Sequence, residues 1–225
     1  MSPSIKQTAS SGFSLLELLI AMTISMTLMI AGTTLLTNAL RVRSRENQKS
    51  DALADTQRAL NIMSREIANA GFNLTSNGIV AADSNINRIR VRSNLNGYDM
   101  TAATRIDVLD PYEDITYFIN EADRTKYLAR HDKYGSQSTV LANRVDSMNI
   151  HYFDRPVTYD APARGSDIAN ASAGEVSPSA AKYIVIAVSV TLDAVGTQNT
   201  PGYQPPYTVL LCSDVTLRNT ELWDY

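Results

Sequence analysis

Residues 18–40 contain no charged side chain, and no other stretch limits what this chain can fold into as strongly. As a helix such a run extends about 35 Å at roughly 1.5 Å per residue, against a hydrocarbon core of about 30 Å. It is long enough to span a membrane. One acid, Glu17, stands at its start. A carboxylate left unpaired in hydrocarbon costs on the order of 2.5 kcal/mol or more, so Glu17 either reaches up to the headgroup layer or has a partner.

The residues ahead of the run decide between those readings. A short polar leader, "MSPSIKQTASSG", ends at Gly12 and is followed at once by Phe13. In a secretory signal peptide the apolar region comes before the cleavage site and is lost on processing; here the order is reversed. The pattern G-F-S-L-L-E resembles the processing signal of type IV prepilins and of the related type II secretion pseudopilins. In those families a membrane peptidase cuts after the glycine and methylates the new amino terminus. The resemblance implies that Gly12 is the last leader residue and Phe13 the N-methylated mature terminus. It also implies that Glu17 is the assembly residue, pairing with the terminal amine of a neighbouring subunit.

Everything beyond about residue 45 has to be soluble, ample for one head with its own core. The balance of 20 Lys and Arg against 23 Asp and Glu indicates neither a nucleic-acid-binding protein nor a polybasic membrane binder. Cys212 is the one cysteine and cannot form an intramolecular disulfide.

After Leu40 the chain turns polar without a helix breaker. Leu53, Leu60, Met63, Ile67 and Ala70 recur at helical spacing and form the stripe of an amphipathic helix. Gly71 suits the left-handed position after a helix, with Phe72 placed to fold back on the last turn. Beyond it the period changes to two. "RIRVR" at 88–92, "ITYFI" at 115–119, "KYLAR" at 126–130 and "MNIHYF" at 148–153 read as short strands. The clearest strand is "YIVIAVSVTL" at 183–192, with Ile184, Ile186, Val188, Val190 and Leu192 inward. "TVLLCSDVTLRN" follows, with Val209, Leu211, Val215 and Leu217 inward and Cys212 on the other side. Residues 156–181 and 196–206, rich in Pro, Ala, Ser, Gly and Asp, read as exposed loops.

The expected fold class is therefore α+β, one long N-terminal helix packed on an antiparallel β-sheet head. The expected divisions are a leader at 1–12, a transmembrane and assembly helix at 13–40, its amphipathic continuation at 41–71 and a β-rich head at 72–225. "QRALNIMSREIANAGFNL", "ITYFINEADRTKYLAR", "VDSMNIHYFD" and the terminal "VTLRN" resemble the PilW-type minor pilins, which share a layout with J-type pseudopilins of type II secretion. Gly32, Thr33 and Thr34 stand where major pilins often carry a proline.

Catalytic constellations are poor: the G-x-S-x-G, H-E-x-x-H and C-x-x-C patterns are all missing. His131 sits in a polar turn, and His151 lies on the face opposite Met148, Ile150 and Tyr152, so both read as solvated. Asp110, Glu113 and Asp114 lie close enough to hold calcium, but without a glycine turn or regular ligand spacing. Arg88, Arg90 and Arg92 share one strand face at roughly 6.7 Å intervals. That ladder suits a solvated edge guarded against strand pairing, with contact to a phosphate backbone or another anion as the alternative.

From the resemblance we expect a minor pilin, not an enzyme, with no cofactor or metal, that primes or joins a type IV pilus. The expected partners are the prepilin peptidase, other minor and major pilins and the inner-membrane assembly platform; nucleic acid is not expected. The alternatives are a J-type pseudopilin and a pilus-tip adhesin or DNA-uptake module. The precursor would cross the inner membrane once with its head in the periplasm and then join the pilus at the cell surface. Arg41, Arg43, Arg45 and Lys49 after the span, against Lys6 in the leader, oppose that orientation by the positive-inside rule.

Overall fold

The computed structural model describes residues 13–95, 110–123, 125–162, 165–200 and 202–220. One helix, α1, runs from Leu15 to Ala68 without a break. Its 54 residues extend about 80 Å. Ser14 caps it: the Ser14 hydroxyl accepts from the Leu16 N–H at 3.3 Å, and the Glu17 carboxylate accepts from the Ser14 N–H at 3.1 Å. This reciprocal arrangement satisfies donors that a helix start otherwise leaves open.

From Leu15 to Ser44 every helical residue is exposed except Asn38, which is partly covered; burial starts at Arg45. Beyond it the buried face comprises Ala52, Thr56, Ala59, Leu60, Met63, Ile67 and Ala68. The apolar stripe seen in the sequence is thus the packing face, but small residues and a threonine widen it, and Leu53 lies at its margin. Thr56 is tolerated there because its hydroxyl donates back to the Ala52 carbonyl at 2.7 Å.

The helix exit differs in detail from the sequence expectation. Gly71 does adopt a left-handed conformation, φ +78°, and a Cβ there would lie 2.7 Å from the Ser76 carbonyl oxygen. Its N–H, however, donates to the Arg92 carbonyl at 2.9 Å, so it stitches the exit to a strand, and the helix itself is closed by Asn69. Phe72 stays outside the apolar core, 41 % exposed.

Among the described residues seven strands follow: β1 (Arg88–Arg92), β2 (Asp114–Ala122), β3 (Thr125–Asp132), β4 (Gln137–Asn143), β5 (Val145–Phe153), β6 (Tyr183–Leu192) and β7 (Tyr207–Thr216). They form two antiparallel sheets, β1-β2-β3-β4 and β5-β6-β7. The architecture is pilin-like α+β, as expected. A shared core joins the C-terminal half of α1 to both sheets, with Leu60, Met63 and Ile67 meeting Ile89, Tyr117, Leu128, Met148, Ile150, Ile184 and Ile186.

Strand β4 has no counterpart in the sequence reading. "QSTVLAN" buries only Ala142, so no apolar alternation marks it. Strand β6 is covered on both faces, not on one. Its outer face carries Tyr183 and Val185, which cluster with Phe153 and Val157 under Tyr159, Ile168 and Ala173. The segment at 156–181 is mostly exposed loop, as expected, but Val157, Tyr159, Ile168 and Ala173 from it also cover the second sheet, and paired backbone bonds between Asp160 and Ala169, both 2.8 Å, pin it.

Candidate functional site

The N-terminal turn of α1 is the candidate site. Phe13 is 81 % exposed and Glu17 lies one turn further on, on the solvent-facing start of the helix. Glu17 Oε2 is engaged by the Ser14 N–H. A carboxylate at this position also complements the positive end of the helix dipole. Glu17 thus has a local task that sequence reasoning missed, although the S-L-L-E spacing of a capping box was there to read. Gly12 lies outside the described residues.

Behind this turn most side chains are apolar, and the threonines among them bond back to their own helix. Thr23, Thr27, Thr33, Thr34 and Thr37 each donate a hydroxyl hydrogen bond to a carbonyl of the preceding turn at 2.8 to 3.0 Å. Such bonds remove the polar cost of threonine in an apolar environment. The helix is long and apolar enough to cross a membrane, and its apolar window is wholly uncovered by the rest of the chain.

The arginine ladder does not present a row of open cations. Arg90 grips Asp114 with two hydrogen bonds of 2.6 Å and also bonds Asp83, while Arg92 reaches the same Asp114 at 3.0 Å. Arg88 lies over the Phe118 ring. The Asp114 side chain is fully buried. Burial alone would raise its pKa, but the hydrogen bonds and charges of Arg90 and Arg92 hold it below the usual carboxylate range. On the edge strand β1, two of the three arginines are thus engaged by carboxylates that tie β1 to β2, while Arg88 is exposed. The same network claims Asp114 from any calcium site, and Glu113 accepts from the Leu95 and Asp110 N–H groups. No cluster of three metal-ligating side chains occurs among the described residues.

His151 also departs from expectation. It is 7 % exposed. Nδ1 meets Glu175 at 2.8 Å and Nε2 meets Asp167 at 2.7 Å, so both nitrogens are placed to donate to carboxylates of the covering segment. Burial lowers its pKa, but the bonds to Glu175 and Asp167 outweigh that and raise it, which favours the imidazolium. The period-two pattern assigned its face correctly; it was the loop folding over that face that the pattern could not reveal. His131 is half-exposed, its Nδ1 3.0 Å from the Ser138 hydroxyl.

Two further polar anchors hold the helix to the head. Glu66 accepts a bidentate pair of 3.0 Å bonds from Arg130, and the Tyr117 hydroxyl also donates to it. Arg45 donates to the carbonyls of Asp193, Pro205 and Leu192. Of the four cations counted after the span, Arg45 is therefore buried in the head, and Lys49 sits over the Tyr207 ring at 4.7 Å.

Residues 8–33 match the family model of the prokaryotic N-terminal methylation motif. No curated protein matches the chain, and no solved structure does. The match covers the signal and the first part of the span, and the head is not included in it. Together with the uncovered apolar helix it supports a type IV pilin or pseudopilin, a structural class of protein anchored in a membrane before it joins a filament. The motif implies processing by a prepilin peptidase and pilin partners in general.

Proposed function

We propose that this chain is a minor type IV pilin of the PilW type that primes or joins pilus assembly after its leader is removed. The observation that carries this reading is the methylation motif at 8–33 leading directly into a helix whose first thirty residues, Asn38 apart, the chain itself leaves uncovered. Such a surface needs a covering medium, first lipid and then the helices of other subunits. Cleavage after Gly12 creates an α-ammonium on Phe13. Glu17 of an incoming subunit pairs with it in a low-dielectric setting, where an unpaired charge is costly, and so sets the register between neighbours. No catalysis is invoked. The head lies in the periplasm; the burial of Arg45 in that head and the engagement of Lys49 by Tyr207 give two of the opposing cations a structural reason. Digestion of the head by external protease in spheroplasts checks the orientation.

The capping box makes the test of Glu17 discriminating. Glutamine also serves at the third position of such a box, so Glu17→Gln keeps the helix start and removes only the charge. Loss of one member of a buried pair typically costs about 3 to 5 kcal/mol. We expect Glu17→Gln to be inserted and cleaved yet recovered with membranes instead of sheared filaments. Gly12→Val should stop one step earlier, as a precursor longer by the 12 leader residues. Immunoblots of sheared and membrane fractions read both; normal incorporation of the two variants would overturn the assembly mechanism.

A further inference from the structure

We infer that the loop between β6 and β7 is a second membrane contact, lying in the headgroup layer beside the helix and holding the head at a set angle to the bilayer. The inference rests on reading residues 18–40 as the span.

Three independent observations locate the loop. First, Arg45 fastens its base, accepting nothing and donating to the carbonyls of Leu192 and Asp193 on one arm and Pro205 on the other. Second, its tip reaches down the helix to Asn38. A Cβ on Gly202 would lie 2.4 Å from Asn38 Oδ1, and Gly202 has φ +82°, so only glycine permits this approach. Asn38 is the one residue of the uncharged run that the rest of the chain partly covers. Asn38 and Arg45 are seven positions apart, about 10 Å of helix. The loop therefore descends along α1 from the head to a point two residues inside the end of the uncharged run.

Third, the composition of the loop fits that depth. Residues 194–206 contain no charged side chain. Tyr203 lies beside the tip and Tyr207 at its return, the aromatic type enriched at membrane–water interfaces. Its backbone is largely self-satisfied: Val195 and Gln204 exchange bonds of 3.0 and 2.9 Å, Thr200 donates to Thr197 and Tyr203 to Thr200, both 3.1 Å. A loop placed among headgroups meets less competing water than one in bulk, so internal pairing of its backbone lowers the cost. Arg41 and Arg43, just past the end of the uncharged run, are exposed and stand at the same depth along the helix.

The head is already fixed to α1 by its core, so a second membrane contact restricts the tilt of helix and head together relative to the bilayer. Incorporation into a filament then has to draw the loop out of the headgroups, which couples departure from the membrane to release of this contact.

The test uses the full chain with Cys212→Ser, reconstituted in phosphatidylethanolamine–phosphatidylglycerol liposomes. A single cysteine carrying an environment-sensitive dye is placed at the loop tip (Gln198→Cys), in the span (Leu28→Cys) or at the far end of the head (Ser179→Cys). Quenching by lipids nitroxide-labelled near the headgroup should be several-fold stronger at position 198 than at 179. Quenching at 28 by lipids labelled deep in the acyl chain reports the span separately. Equal quenching at 198 and 179 with position 28 quenched overturns the inference and leaves the span standing; an unquenched position 28 overturns both. Shielding of position 198 from aqueous iodide without lipid quenching puts a neighbouring chain there and also overturns it. Gly202→Val should lift the tip from Asn38 and lower quenching at 198 towards the level at 179, with position 28 unchanged; undiminished quenching would show that the Asn38 contact does not set the depth.

Discussion

The two halves of α1 are one continuous helix with opposite relations to the rest of the chain. From Leu15 to Ser44 its leucines, isoleucines and methionines are left open; from Arg45 to Ala68 its apolar face is covered by two sheets. Helical propensity does not separate them, since neither half contains a break. What separates them is where the covering surface comes from. The second half is stabilised by tertiary burial in its own head, whereas the first is suited to lipid and to other helices. Substitutions should therefore act on folding in one half and on membrane residence or assembly in the other.

The largest effect that sharpens this contrast is Leu60→Ala against Leu28→Ala. Leu60 is completely buried and Leu28 is 68 % exposed. Truncating a buried leucine costs about 2 to 5 kcal/mol, so denaturation of the full chain in detergent micelles should show a loss of that size for Leu60→Ala. Leu28→Ala should leave head stability unchanged; a matching loss there would mean that the two halves are energetically one unit.

An intermediate effect is expected at the boundary. Arg45→Met keeps an aliphatic stem and removes the donors to three carbonyls. Leaving buried acceptors unsatisfied costs about 1 to 3 kcal/mol. Hydrogen exchange should quicken first at the Val195 and Gln204 amides, while the Leu60 region stays protected. Uniform loosening of the head would instead make Arg45 part of its main core.

The smallest effect concerns a surface that the chain closes over with a polar latch, unlike the apolar cover of α1. Asp167 and Glu175 hold His151 from the covering segment, and its pKa is raised in the folded state. The stabilisation is complete below the unfolded histidine value of about 6.5 and fades as pH rises through the higher folded value. The melting temperature of the wild type should therefore exceed that of His151→Gln most at acidic pH, with the gap narrowing on the alkaline side. A gap that widens with pH would show that His151 is held neutral.

How far the sequence could be read follows from which interactions are local. The apolar run, the amphipathic stripe through Leu60, Met63 and Ile67, and the alternation in β1 and β6 are short-range patterns, and each names its element correctly. The N-terminal signal is likewise contiguous, and residues 8–33 match a family model. β4 escaped because a strand that buries only Ala142 carries no alternation. Glu17 in its cap was legible and overlooked; the partners of Arg90, Arg92 and His151 were not legible. Asp114 is 24 positions from Arg90, and Glu175 is likewise 24 from His151.

The sequence by itself determined that an apolar helix precedes an α+β head, because periodicity and charge depend on neighbours a few residues apart. Only the tertiary structure decided which charges are spent inside the head and which surface stays open. An arginine reads the same in sequence whether a carboxylate, a ring or water awaits it, and that choice is made by strands and loops brought together from distant parts of the chain.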